Sequence, residues 1–140
     1  MNKDNRNKKN QRNWFLVDAT DQSLGRLASK VANLLRGKGK PNFVYNQDVG
    51  DFVIAINLRQ LDIKKDKALK KIYYRHSGYP GGLKSKTLKE AAVTDPVWVF
   101  KKAVAGMLPK NRLQKNWLKR LKLYAESEHK HQAQKLIKVE

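Results

Sequence analysis

Cysteine is absent from this chain of 140 residues, and long apolar runs are absent as well. Without cysteine, the chain can form neither a disulfide framework nor a cysteine zinc site, and its composition fits a reducing compartment. No apolar run reaches the roughly eighteen residues of a membrane-spanning helix, and no segment resembles the apolar part of a secretory signal. We therefore expect a protein that stays outside membranes.

Acidic residues are also scarce, because the chain has 12 Asp and Glu against 31 Lys and Arg, a formal charge of +19. A charge of this size destabilises a compact domain through self-repulsion unless a polyanion neutralises it. The length suits one domain, which at this size buries roughly two-thirds of its unfolded surface. The composition therefore indicates a single basic domain with a nucleic-acid partner.

The cations are concentrated in three segments, which together hold 22 of the 31. Residues 64–89 carry nine cations and one acid, and residues 101–122 carry eight cations and no acid. Residues 1–13 carry five cations and one acid and lack apolar periodicity, so we expect a basic arm that is disordered in free solution. Two roles stay open for this arm: a solvated tail, and a segment that becomes ordered along a nucleic-acid backbone.

The folded part is predicted to begin with a strand, a helix and a second strand. Trp14–Val17 and Phe52–Ile56 are short apolar runs of the kind found in strands buried on both faces. Between them, apolar residues recur at helical spacing from Leu24 to Leu35, and Gly37 is placed to end the helix. The pattern predicts an α/β domain with a right-handed parallel crossover.

The second half of the chain is predicted to contain further strands and helices. Lys71–Tyr74 is predicted as a third strand at a sheet edge, and Leu121–Tyr124 as the last strand. Thr87 is a candidate cap for one helix, and Asp95 followed by Pro96 is a start signal for the next. The predicted organisation is a basic amino-terminal extension (1–13), one α/β domain (14–124) and a polar, irregular carboxyl-terminal tail (125–140).

A glycine-rich loop after the third predicted strand combines cations with aromatic residues. Arg75, His76, Tyr79 and Lys84 surround a Pro-Gly-Gly bend. Glycine and proline shape the backbone without burying surface, so this segment adds little to a core. Cations and backbone N–H groups suit phosphates, and aromatic faces suit unstacked bases or sugars. The loop therefore predicts contact with RNA.

A nucleotide-dependent enzyme is one alternative, because strand–helix–strand domains often bind nucleotides at the first turn. Asp18–Ser23, which forms that turn, contains no glycine and so lacks the G-x-G-x-x-G approach to a pyrophosphate. Arg36–Lys40 lacks the spacing of a Walker A loop and the Ser or Thr that follows its lysine. The sequence disfavours this alternative.

Two smaller clusters have competing interpretations. Asp48 and Asp51 form a close carboxylate pair before the second strand, where turn capping is favoured over acid–base catalysis. His129 and His131 could share a metal, but no third ligand has a clear spacing, so contact with RNA or solvent is favoured. The tryptophans, interpreted as packing anchors of the core rather than stacking platforms, are Trp14, Trp98 and Trp117.

Five motifs occur in the order seen in one protein family. They are Leu24–Ser29, Leu35–Lys38, Gly50–Ile54, His76–Gly82 and Ala103–Asn111. Over roughly Trp14 to Gln134 the chain resembles the bacterial-type family of large-subunit ribosomal protein L-thirteen. The departures are local: Tyr45 stands where the family usually has proline, and Lys130 interrupts a frequent His-Pro-His motif.

The resemblance implies a three-layer α/β/α sandwich with a four-stranded, mostly parallel, mixed sheet. It also implies a structural role on large-subunit ribosomal RNA, contacts with neighbouring ribosomal proteins, early participation in subunit assembly, and neither catalytic activity nor a cofactor. The implied location is the large ribosomal subunit, in a bacterial cytoplasm or a plastid stroma, and both sources stay open. The alternative function is a translational regulator that binds messenger RNA outside the ribosome.

The glycine loop and the helical cations are together predicted to clamp separate RNA segments. Phosphate contacts would give affinity, and the loop would follow local RNA shape through close backbone approach. The candidate RNA-binding residues are Arg26, Lys38, Lys40, Arg75, His76, Ser77, Tyr79, Gly81, Gly82, Lys84, Lys86, Lys101, Lys102, Lys110, Asn111, Arg112, Lys115, Lys119, Arg120, His129 and His131. No catalytic or metal-ligating residue is predicted.

Overall fold

A computed structural model describes residues 12–63 and 70–139 of the chain. Most of the predicted basic arm, and the lysine-rich start of the second cationic segment, lie outside these residues. The strands within them are β1 (Trp14–Asp18), β2 (Phe52–Ile56), β3 (Ile72–His76), β4 (Leu83–Thr87), β5 (Leu121–Leu123) and β6 (Leu136–Val139). The helices are α1 (Leu24–Arg36), α2 (Leu88–Thr94), α3 (Pro96–Met107) and α4 (Gln114–Arg120), and a 3₁₀ turn spans Leu58–Gln60.

Four of the strands form a parallel sheet in the order β5-β2-β1-β6. β1 lies inside the sheet, where Trp14 pairs with Phe52 on one side and with Leu136 on the other. β2 continues the sheet because Val53 pairs with Leu121. The predicted α/β fold with a four-stranded sheet is confirmed, but the pairings are all parallel rather than mixed. The three-layer arrangement stays a prediction.

One expectation about the strands is wrong, and a second is confirmed with a different sheet partner. The segment after residue 124 is not wholly irregular, because Leu136–Val139 forms β6 and pairs with β1. The strand expected at Lys71–Tyr74 does form, as Ile72–His76, but it does not join the main sheet. It pairs antiparallel with β4 in a separate two-stranded hairpin. The glycine-rich loop is the tip of that hairpin.

The main core cluster joins the buried side of α1 to β1, β2 and α3. Leu27, Val31 and Leu35 recur on one side of α1 with no exposed surface, as the periodicity predicted. Phe100 and Val104 of α3 belong to the same cluster and are equally buried. Full burial of one large apolar side chain stabilises a fold by about 1.5–3 kcal/mol, so this cluster is a major source of stability.

The hairpin is joined to the helices by two caps and one aromatic contact. Thr87 ends β4 and begins α2, where its hydroxyl accepts from Glu90 N–H at 3.3 Å and Glu90 Oε2 accepts from Thr87 N–H at 3.1 Å. Asp95 caps α3 by accepting from Trp98 N–H at 2.9 Å. Both caps were predicted, and each such cap contributes about 0.5–2 kcal/mol. The ring of Tyr73 in β3 packs edge-on against Trp98, with centroids 5.0 Å apart.

The tryptophans do not all anchor the core. Trp117 is only 2% exposed and lies in the main cluster, as expected. Trp14 is half-buried and stacks on Phe52 with ring centroids 4.2 Å apart. Trp98 is 41% exposed, because only part of its indole is covered by the hairpin. The core interpretation therefore holds fully for Trp117 alone among the three.

Candidate nucleic-acid interface

The β3–β4 hairpin places its cations on one face. Arg75 pairs with Lys84, and two residues further toward the helices Tyr73 pairs with Lys86. Because successive side chains of a strand alternate between faces, these four share one side of the hairpin. Tyr73 fixes the base of that side against α3, and the three cations beyond it are exposed. The sequence predicted the cations, but their common face depends on the strand register.

The tip of the hairpin is a tight turn that requires glycine at two positions. Gly82 N–H donates to the Tyr79 carbonyl at 3.0 Å, closing a four-residue turn around Pro80 and Gly81. Gly81 has a φ of 73°, which is the conformation that a type II turn requires after proline. A Cβ on Gly82 would lie 2.0 Å from Ser77 Oγ and 2.9 Å from the Tyr79 carbonyl oxygen. The predicted glycine residues thus bring the backbone close together.

His76 is oriented by the backbone of the same turn. Its Nδ1 accepts a hydrogen bond from Gly78 N–H at 2.9 Å. A ring nitrogen that accepts a hydrogen bond carries no proton, so in the neutral ring the proton lies on Nε2. The side chain is exposed, and Nε2 is therefore available to donate to a phosphate oxygen or a base edge.

The same turn lines a concave surface that we call the hairpin recess. Its volume is about 480 Å³, and its lining residues are Arg75, His76, Ser77, Gly82 and Lys84. The structure thus brings together five of the predicted site residues. Within residues 12–63 and 70–139, no carboxylate lies within 4.0 Å of the charged nitrogens of its two cations. An arginine, a lysine and a histidine without internal acidic partners suit an anionic ligand such as a phosphate group.

The other predicted contacts are spread over the surface of the helices and loops. Tyr79 is 75% exposed beside the recess, and Gly81 lies in the turn next to it. Asn111 is exposed in the loop before α4, where its Oδ1 accepts from Leu113 N–H at 3.1 Å. The exposed candidate cations outside the hairpin are Arg26, Lys38, Lys101, Lys102, Lys110, Arg112, Lys115 and Lys119.

Arg120 requires a correction, because it is 5% exposed and turned into the protein. Its guanidinium binds both carboxylate oxygens of Asp48, and its Nη2 also donates to the Leu35 carbonyl at 3.1 Å, at the carboxyl end of α1. Trp117 Nε1 donates to the same carboxylate at 3.0 Å, and Arg12 Nη2 lies 3.4 Å from it. We call these four side chains, Asp48, Arg120, Trp117 and Arg12, the charge cluster. Because Arg120 is buried and paired inside this cluster, it does not belong to the candidate interface.

The charge cluster keeps Asp48 ionised. Burial of its carboxyl opposes ionisation, but the hydrogen bonds and charge of Arg120, with smaller contributions from Arg12 and Trp117, outweigh that cost. They hold the pKa of Asp48 below its ordinary value. Asp48 therefore serves as a structural anion rather than as the turn cap or the acid–base partner considered from the sequence.

Lys40 also has an internal role. Its Nζ lies 2.6 Å from Asp51 Oδ1 and 2.9 Å from the Val49 carbonyl oxygen. Asp51 is 3% exposed and also accepts from Asn13 N–H at 2.8 Å. Asp51 therefore ties the start of β1 to the loop after α1 and does not cap a turn. Lys40 is half-buried in this arrangement, so less of its side chain can reach RNA than in the exposed lysines.

The two histidines near the carboxyl end pack against aromatic rings. His131 lies 5.3 Å from Trp14 between ring centroids, and both His131 and His129 lie 6.2 Å from Tyr124. Both imidazoles are half-buried. In the part of the chain that the structure describes, no group of three potential metal-ligating side chains is found.

One exposed aromatic segment was missed from the sequence. Phe43 and Tyr45 lie in the loop between α1 and β2, and Tyr45 is 77% exposed. The signal available was two aromatic residues in a stretch rich in Lys, Asn and Gly without periodicity. The sequence pattern marked Tyr45 only as a residue that stands where the resembled family usually has proline.

The fold and its surfaces define a small, strongly cationic α/β protein suited to a polyanionic partner. In the described ranges, no helix combines the length and apolarity needed to cross a membrane.

The sequence model of a family described as Ribosomal protein L13 matches residues 12–130. The chain is 51% identical over 125 residues to a protein of Listeria innocua, covering 89% of this chain and 86% of the relative. It is 54% identical over 124 residues to one of Kocuria rhizophila, covering 89% and 84%. It is 52% identical over 129 residues to one of Mycobacterium bovis, covering 92% and 88%. All three are described as "Large ribosomal subunit protein uL13".

The chain belongs to the ribosomal protein L13 family. It is therefore a structural constituent of the ribosome, from a family that is not known for enzymatic activity.

Proposed function

We propose that this chain binds large-subunit ribosomal RNA through the hairpin recess and the exposed helical cations, and that it stabilises the RNA fold early in subunit assembly. The observation that carries the proposal is the hairpin recess. Its cations have no acidic partner among the described residues, and the turn beneath them is built by glycine. Membership of a ribosomal family supports RNA as the polyanion that these groups meet.

The chemistry of the recess suits an RNA backbone. Arg75 and Lys84 contact phosphates, which supplies affinity that depends on salt. His76 Nε2 donates to a phosphate oxygen or a base edge, because Nδ1 is occupied by Gly78. Close backbone approach at Gly82 lets the RNA sugar-phosphate chain follow the turn, so the recess responds to shape more than to sequence.

The helical cations extend this binding to other parts of the RNA. Lys101 and Lys102 lie on α3, and Lys115 and Lys119 lie on α4, on different elements from the hairpin. The caps at Thr87 and Asp95 join the hairpin to those helices. A protein that binds several RNA segments at once lowers the free energy of their folded arrangement, which is the physical basis of a role in assembly.

Salt-dependent binding to a bacterial large-subunit rRNA transcript tests the recess. Arg75→Ala with Lys84→Ala should weaken binding and reduce the slope of log K against log salt by about 1.4–1.8, from about 0.7–0.9 per phosphate contact. A matched control is Lys135→Ala with Lys138→Ala, which removes two exposed lysines outside the proposed surface and should change the slope less. Equal affinity and slope for the recess variant and the unaltered protein would remove the recess from the interface.

Sedimentation tests the assignment to the large subunit. We expect the chain to migrate with large subunits after a high-salt wash, because contacts to several RNA segments would have to break together for release. Recovery in messenger RNA fractions alone would favour the regulatory alternative instead.

A further inference from the structure

The loop between α1 and β2 presents one tyrosine to solvent beside an arginine. The guanidinium carbon of Arg36, in the last turn of α1, lies 5.7 Å from the ring centroid of Phe43 and 6.0 Å from that of Tyr45. The two rings meet edge to face with centroids 5.2 Å apart. Phe43 is half-buried, whereas Tyr45 is 77% exposed. Arg36 and Phe43 thus orient a ring that the core does not use.

The surroundings of Tyr45 are positive. The two carboxylates that follow it in the chain are neutralised internally, Asp48 by Arg120 and Asp51 by Lys40. Lys38 is exposed near the start of the loop, and the guanidinium of Arg36 lies against the Tyr45 ring. The local charge therefore favours an anionic partner, and the aromatic ring favours a partner with a flat π face.

We propose that Tyr45 is a stacking platform for one unstacked base of ribosomal RNA, held in place by Arg36 and Phe43. This inference rests on the proposed function and adds a base-binding position to it. RNA is the ligand class that combines a flat aromatic face with a flanking phosphate, and exposed aromatic side chains beside cations are a common way to hold its unpaired bases. Val44 next to Tyr45 is also exposed, but the exposed cation of this loop is Lys38, and lysine is depleted in protein–protein interfaces.

Arg36 acts as a positioning residue in this arrangement. Its side chain contacts both rings from the end of α1, so the orientation of Tyr45 depends on it. Replacement by lysine keeps the charge but loses the planar group that lies against the rings. Arg36→Lys should therefore weaken base stacking at Tyr45 more than it changes phosphate contacts.

The experiment measures binding of the full chain to a bacterial large-subunit rRNA transcript at several salt concentrations, with Tyr45→Ala, Tyr45→Leu and Tyr45→Phe. Loss of one stacked base weakens binding by roughly 5- to 150-fold. We expect that loss for alanine and leucine, near-normal affinity for phenylalanine, and the same salt slope for all, because no phosphate contact is removed. Val93→Ala, at another exposed apolar side chain (82% exposed), is the matched control and should bind normally.

The outcomes separate this inference from the proposed function. If the unaltered chain does not bind the transcript, both fail. If it binds and the recess variants reduce the salt slope, but Tyr45→Ala binds normally, the proposed function stands and the stacking platform is overturned. Normal binding by Tyr45→Leu would show a general apolar contact and would also overturn it. Thermal unfolding of each variant checks that the fold is intact, as expected for a side chain so exposed.

Discussion

The charge cluster and the hairpin recess contain similar groups but differ in whether a carboxylate neutralises their cations. Each places arginine or lysine beside a glycine that leaves no room for a side chain. A Cβ on Gly50 would lie 1.7 Å from the Leu35 carbonyl oxygen, and a Cβ on Gly82 would meet the Ser77 hydroxyl and the Tyr79 carbonyl oxygen. In the charge cluster a carboxylate pairs with the cation and neutralises its charge inside the fold. In the recess no described carboxylate does so. The position of the nearest acid, rather than the cation itself, distinguishes the internal ion pair from the proposed interface.

The comparison is tested most strongly at Arg120. Arg120→Met should lower the free energy of unfolding by about 3–5 kcal/mol, because it leaves the Asp48 carboxylate without its main partner. Urea denaturation measures this loss. RNA binding by the remaining folded protein should keep its salt slope, since Arg120 is internal.

The matched control for that variant removes both charges. Asp48→Asn combined with Arg120→Met keeps an acceptor for the Trp117 indole and should recover part of the lost stability. A single Arg120 variant as stable as the unaltered protein, with a reduced RNA salt slope, would place Arg120 in the interface after all.

Gly50→Ala should have the next largest effect. Its new Cβ meets backbone at Leu35, which cannot rotate away, so we expect a loss of about 1–3 kcal/mol of stability. Gly106→Ala is the control, because nothing lies within 4 Å of its Cβ position near the end of α3. That change should leave stability equal or raise it by up to about 1 kcal/mol. Equal behaviour of the two variants in denaturation would contradict the close approach.

Acid should weaken the charge cluster. Because the pKa of Asp48 is lowered in the folded protein, its contribution to stability is complete above its unfolded value, ~3.9, and is lost as pH falls through the folded value. The free energy of unfolding of the unaltered protein should therefore fall more steeply below about pH 4 than that of Asp48→Asn. Parallel pH profiles for the two proteins would show that Asp48 gains nothing from its partners.

Gly82→Ala should cost less stability than Gly50→Ala, roughly 1 kcal/mol, because the turn that its Cβ strains lies at the tip of the hairpin rather than in the core. The added Cβ can displace the Ser77 hydroxyl, but the Tyr79 carbonyl 2.9 Å away must also shift, so the turn changes shape. We therefore expect weaker binding to the rRNA transcript with a smaller loss of stability than in Gly50→Ala. A loss of stability without weaker binding to the transcript would contradict a role for the Gly82 turn in the proposed interface.

Local signals in the sequence were sufficient for most of the fold. The periodicity of α1 marked its buried side correctly, and Gly37 ends that helix with a φ of 73°. Thr87 and Asp95 cap the helices they were expected to cap. These features depend on neighbours within a few residues, which is why sequence spacing is enough to find them.

The failures involve contacts between distant parts of the chain. β6 was missed because Leu136–Val139 is short and interrupted by lysine, and its partner is β1 at the other end of the domain. Arg120 resembled a surface cation of α4, and its burial depends on Asp48, 72 residues earlier. For the site, the recess residues were predicted as a group because they are close in sequence, whereas Tyr45 depends on Arg36 across a loop.

The pairing of β1 with β6 affects the order in which the sheet can be completed during synthesis. The ribosome makes β1 before β6, so one edge of β1 stays open until the segment holding Leu136 emerges, because Trp14 pairs with that residue. Until then a growing chain carries a sheet that lacks one of its edge strands. We expect hydrogen exchange at the β1 amides that face β6 to remain fast in chains halted before Leu136 and to slow once β6 is present.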